Sequence, residues 1–177
     1  MPSGRTHDAI TMLLAVPAFA VGYALTNDLA SAAVVGSAFL FGGLMFGPDL
    51  DTVSRQYSRW SIFRFIWMPY RRFFRHRSRF SHGLIFGALL RVIYFMGVVS
   101  LAAFCVTYAY AAISGGKVPA IADLVSVWQQ IGAFINTHLG DSFLFLVFAG
   151  LWLGAASHTF TDMAGSFVRT GRVADFL

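Results

Sequence analysis

The chain has 177 residues, 57% of them hydrophobic and 12% charged, with 13 Lys and Arg against 8 acidic residues and a formal net charge of +5. A water-soluble domain carries roughly 25% charged and about 45–50% apolar residues, so this composition excludes an ordinary soluble globule and, being so apolar, excludes disorder. One cysteine, Cys105, excludes a disulfide framework, and what remains is a small integral membrane protein.

A helix needs about 20 apolar residues to cross ~30 Å of hydrocarbon. Four runs meet that length, giving expected spans at about 9–26, 29–47, 83–113 and 142–160. The first is flanked by only one basic residue, Arg5, and lacks a clear small-residue cleavage site, so it reads as a retained span. Asn27-Asp28 reads as a tight turn into the second, and Thr6 as the cap of the first. Between the second and third lies a basic loop, 48–82, where Trp60, Phe63, Trp67, Tyr70 and Phe74 recur every three or four residues among arginines. That alternation predicts an amphipathic segment in the membrane interface, bent or broken at Pro69, with its guanidiniums toward anionic lipid headgroups. Arg91, early in the third span, is expected to snorkel. The connection 114–141 holds apolar positions at helical spacing from Ala122 to Thr137, which suggests a short outer amphipathic helix. The expected fold is thus an all-α membrane protein, a single domain over 1–177.

With four spans, the N-terminus, the basic loop and the C-terminal tail share one side and hold eleven of the basic residues, against Lys117 on the other. The positive-inside rule then places both termini in the cytoplasm.

All eight acidic residues are aspartates, and there are five histidines. Eight of these thirteen fall in four clusters, one at the cytoplasmic end of each span: His7 and Asp8, Asp49 and Asp51, His76 and His82, His158 and Asp162. His158 and Asp162 are four apart and share a helical face. In an extended Asp49-Leu50-Asp51 segment, two carboxylates would face one point, and Ser81 would cap a helix that begins at His82. Aspartates near a bilayer are costly unless hydrated, paired or metal-bound, so the clusters predict a shared site. The expected cofactor is one or two divalent metal ions, the number of ligands being enough for two that share a carboxylate, and imidazole and carboxylate without thiolate suit zinc first, or manganese or iron. Arg77 and Arg79, between His76 and His82, are expected to hold a substrate phosphate, and Asp8 or Asp162 to assist proton transfer.

The motifs Ser3-Gly-Arg-Thr-His7-Asp8, Gly47-Pro-Asp-Leu-Asp51, Trp67-Met-Pro-Tyr70, His76-Arg-Ser-Arg-Phe-Ser-His-Gly83 and Ser157-His-Thr-Phe-Thr-Asp162 together resemble an uncharacterised cyanobacterial membrane-bound metal-binding protein family. That family is similar in turn to LexA-regulated inner-membrane metal-dependent hydrolases. The resemblance implies a plasma- or thylakoid-membrane protein whose metal site is built from His7, Asp49, Asp51, His76, His82, His158 and Asp162, with Asp8 as a further ligand. The leading expectation is a hydrolase of phosphoester or lipid substrates. The alternative is a metal-stabilised structural subunit assembled with a membrane-protein partner. A nucleic-acid partner is not expected, because the interleaved aromatics fit a membrane interface better. A His-Glu-x-x-His protease is excluded, since the chain has no glutamate.

Overall fold

The computed structural model describes residues 3–74, 78–84 and 86–171, with only the backbone of Arg79. Among them there is helix and no strand. The helices are α1 (Gly4–Thr26), α2 (Leu29–Leu44), α3 (Arg55–Arg59), α4 (Met68–Phe73), α5 (Arg79–His82), α6 (Phe86–Ser114), α7 (Ile121–Leu139) and α8 (Phe143–Thr170), with 3-10 turns at Pro48–Asp51 and Ser61–Trp67. Four segments are long and apolar enough to cross a membrane: Gly4–Thr26, Leu29–Asp51, Phe86–Ser114 and Phe143–Thr170. The chain divides into two compact units, Met1–Val92 with Phe145–Leu177, and Ile93–Leu144.

In the first unit, α1 starts at Ser3, whose Oγ accepts from the Thr6 N–H at 3.2 Å. Ser3 is therefore the cap that Thr6 was expected to be, and the helix gains a turn that carries His7 and Asp8. Asn27, left-handed at φ 50°, ends α1, and Asp28 Oδ2 accepts from Ser31 N at 2.7 Å to open α2. Two residues suffice for the reversal because one supplies the αL stop and the next the N-cap. Helix α8 packs against α2 backbone to backbone. A Cβ at Gly150 would meet Val35 O at 2.6 Å, and one at Gly154 would meet Gly43 N at 2.7 Å. This Gly-x-x-x-Gly spacing puts both glycines on one face, the arrangement that lets helices approach closely in lipid. Helix α8 then runs well past the expected end near residue 160, because nothing in Thr161–Thr170 breaks a helix until Gly171 at φ 68°.

The basic stretch departs from a single interfacial strip. Trp67 and Tyr70 are fully buried, and Trp67 packs edge-on to Phe46, Trp60 and Tyr70 at ring separations of 5.4, 5.3 and 5.7 Å. Ile62, Phe63, Phe65 and Phe73 are exposed instead. Pro69 does not break a helix, because it sits in the first turn of α4, where no N–H is needed. Arg91 does not snorkel: it is buried, and its Nη1 donates to Ser81 O at 2.6 Å. The carbonyl gives its charge a protein partner, so it has no need of the interface.

In the second unit, α7 extends the expected helix by a residue or two at each end, and none of its residues is buried. Asp123 Oδ2 accepts from Ala120 N at 2.7 Å at its start, and Trp128 Nε1 donates to Ser100 Oγ of α6 at 2.9 Å. His138, the histidine outside the four clusters, lies against Phe134 with ring centroids 4.3 Å apart and the rings tilted by 48°.

Candidate metal centre

The start of α1, the turn after α2, α5 and the middle of α8 bring six of the sequence-derived side chains together in the first unit. Asp51 Oδ2 lies 3.4 Å from His82 Nδ1, and Asp49 Oδ1 lies 3.5 Å from His82 Nε2. The other oxygen, Asp49 Oδ2, is 3.3 Å from His158 Nε2. His158 Nε2 is 3.8 Å from Asp162 Oδ2, whose partner Oδ1 is 3.2 Å from His7 Nε2. The result is an unbroken run, Asp51, His82, Asp49, His158, Asp162, His7, with Asp49 in its interior. The His7 and His158 rings also stack, 3.8 Å between centroids and 8° from parallel.

Asp49 and Asp51 do not face one point as expected of an extended segment. Pro48, with φ preset for a helical start, opens a 3-10 turn. At about 120° per residue, side chains two apart diverge. The two carboxylates consequently take opposite sides of the His82 ring. His82 itself lies at the end of α5, whose cap is Ser78 rather than Ser81, since Ser78 Oγ accepts from Ser81 N at 3.2 Å. Its ring is buried, which favours the neutral form, but hydrogen bonding and charge from Asp49 and Asp51 outweigh burial and hold its pKa above the usual histidine value.

Asp8 stands apart from this run. Its Oδ2 is 2.8 Å from Arg55 Nη1 and 2.6 Å from Arg59 Nη2, so it ties α1 to α3. His76 and Arg77 lie outside the described residues, as does the side chain of Arg79.

Sequence reasoning missed Gln56. Buried in α3, its Nε2 donates to Gly43 O at 2.6 Å and lies 3.2 Å from His158 Nδ1, while its Oε1 accepts from Asp49 N at 3.1 Å. One amide thus positions the end of α2, the Asp49 turn and the His158 ring. A neutral side chain inside a basic stretch leaves no pattern by which to find it.

The donors suit a cation. His7, His158 and Asp162 are all buried, and each offers a ligand atom within 4.8 Å of the others. His158 Nε2 and both Asp162 oxygens are buried and make no hydrogen bond. A buried carboxylate without a donor is costly, and a cation beside it removes the cost. His7, Asp51, His82, His158 and Asp162 are buried, whereas the Asp49 side chain keeps 23% of its surface exposed, so the run reaches solvent at its interior member.

No solved structure matches this chain. An uncharacterized protein of Aquifex aeolicus (strain VF5) is 35% identical over 60 residues, which are 33% of this chain and 42% of that protein. The chain therefore spans less than half the length of the curated relative it matches. Residues 2–171 match the family described as uncharacterized metal-binding protein (DUF2227), and with nearly its whole length so matched the chain belongs to that family of metal-binding proteins.

Proposed function

We propose that this protein is a membrane-bound, metal-dependent hydrolase of phosphoester or lipid substrates, with zinc as its cation. The observation that carries the reading is the place of Asp49. It is the one part-exposed donor in an otherwise buried run, and it faces His82 with one oxygen and His158 with the other. His7, His158 and Asp162 would hold one cation, and Asp49, between His158 Nε2 and His82 Nε2, would serve it together with a second held by His82, whose other nitrogen Asp51 orients. That arrangement also leaves an open side for substrate. A cation bound there supplies Lewis acidity and lowers the pKa of water toward neutrality.

The chain's own residues do the rest. Asp49 and Asp51 hold the His82 ring from both sides, and Gln56 fixes the His158 ring through its far nitrogen. Asp162, buried beside His7 with 3.2 Å between Oδ1 and Nε2, would take the proton that the attacking water gives up. Asp8 has no part in this, since two arginines hold its carboxylate. Arg77 and Arg79 are proposed to neutralise the substrate phosphate. The exposed Ile62, Phe63 and Phe65 around Arg64 would rest among anionic headgroups on the cytoplasmic side.

The deep burial of five donors also favours a second reading, a metal staple that only stabilises the fold. Elemental mass spectrometry on detergent-purified protein, with Asp49→Ala and His158→Ala alongside, decides between them. The hydrolase reading expects folded variants that have lost metal together with phosphoester turnover. Turnover that persists without metal ends it, and a metal whose chelation unfolds the protein selects the staple.

A further inference from the structure

A cleft of about 800 Å³ runs between α1 and α8, floored by Phe39 of α2. Ile10, Leu14 and Val21 line one wall, and Leu153, Ala164 and Val168 the other. Its polar lining is confined to Thr6, Ser157, Thr161 and Arg169. Three of these immediately precede a donor of the metal centre: Thr6 before His7, Ser157 before His158, and Thr161 before Asp162. The cleft therefore runs along the neighbouring helical faces, about 100° around from the donors; Thr6, Ser157 and Thr161 lie at the donor level, and Arg169 ends the α8 wall about 10 Å beyond Asp162. From Leu153 to Arg169 it follows α8 for roughly 24 Å at ~1.5 Å per residue, more than the ~15 Å of one hydrocarbon leaflet.

We propose that the α1–α8 cleft binds one acyl chain of a membrane phospholipid and brings its phosphate headgroup to the Thr6–Arg169 end, beside His7 and Asp162. The inference rests on the hydrolase reading and names its substrate class. Both walls belong to helices apolar enough to span a bilayer, where the cleft opens onto hydrocarbon and excludes water. The Ser157 and Thr161 hydroxyls donate to carbonyls of α8 itself, so the charge that distinguishes this groove is the Arg169 guanidinium at its end, which matches a ligand apolar along its length and anionic at its tip.

The test reconstitutes the full chain in vesicles of phosphatidylcholine and phosphatidylglycerol containing a trace of phosphatidylglycerol with a diazirine in its acyl chain. After irradiation, adducts are mapped by peptide mass spectrometry and metal is measured on the same samples. Several-fold enrichment of adducts at Ile10, Leu14 and Leu153 is expected over Leu13 and Val16, which are 73% and 72% exposed and do not line the cleft. Ala164→Trp and Ala18→Phe, which fill the cleft from opposite walls, should each abolish that enrichment while metal content stays unchanged. Equal labelling inside and outside the cleft, or enrichment that survives a filling variant with its metal intact, overturns the proposal. Diacylglycerol carrying the same diazirine chain should label the cleft several-fold less, and equal labelling overturns the headgroup half. Enrichment in protein that binds no metal removes the hydrolase reading and leaves the lipid site; bound metal without enrichment removes the lipid site alone.

Discussion

Asp8 follows His7 directly, and the two side chains end in different chemistry. Neighbours on a helix project about 100° apart, so the face that turns His7 toward Asp162 turns Asp8 toward Arg55 and Arg59. Asp8→Asn should weaken the tie between α1 and α3 and lower the melting temperature in detergent, yet leave metal per chain unchanged; loss of metal would place Asp8 among the donors after all. Gln56 predicts the opposite pattern. Gln56→Leu keeps the volume but leaves Gly43 O and Asp49 N without their buried partner, a cost of about 1–3 kcal/mol per group. It also frees the His158 ring, so metal affinity should fall about 10–100-fold, as read by competition with a chelating dye. The same titration tests His82. Its pKa is raised, so its imidazolium persists to higher pH than usual, and a cation must displace that proton. Metal affinity should therefore begin to fall, as pH is lowered, at a higher pH than an ordinary histidine would impose, and a flat profile would mean that His82 gives up no proton on binding.

At the scale of the element, the crossing of α2 and α8 decides where His158 stands. Gly154 lies one turn before His158, and a side chain there would run into the Phe39 and Gly43 backbone. Gly154→Val should destabilise the protein by about 1–3 kcal/mol and lower metal content, because the helices must separate where the donors meet. Gly97, in α6, faces open space, with nothing within 4 Å of where a Cβ would stand, so Gly97→Ala should leave melting and metal unaffected. Thermal melts of both variants, with metal assayed on the folded fraction, make the comparison. The elements also show how far local patterning reads. The Asn27-Asp28 turn and the α7 helix follow from turn residues and apolar spacing. The end of α8 does not follow from hydropathy, since the helix outlasts its apolar run and stops only at Gly171, and that extra stretch is what carries Asp162.

For the whole molecule, the distribution of arginine makes a topological prediction. With Cys105 replaced by Ser, single cysteines placed in 114–141 should react with a membrane-impermeant thiol reagent applied from outside intact cells, and cysteines in the basic loop should not. Reversed labelling would invert the orientation and put the metal centre on the outer face.

Composition and periodicity, which are local and additive along the chain, are enough to read an all-helical chain with four helices apolar enough to cross a membrane and a pair of His or Asp residues associated with each. They gather His7, Asp49, Asp51 and His82 near span ends, whereas His158 and Asp162 stand in the middle of α8, which runs on to Thr170. Only the tertiary structure decides which of these donors meet. The 3-10 turn at Pro48 splits Asp49 from Asp51, two arginines draw Asp8 away, and Gln56, silent in any pattern, fixes the His158 ring. Such outcomes depend on side-chain direction and on contacts between residues more than a hundred apart in the chain, as between the Gln56 and His158 side chains. No periodicity along one strand of sequence encodes that meeting.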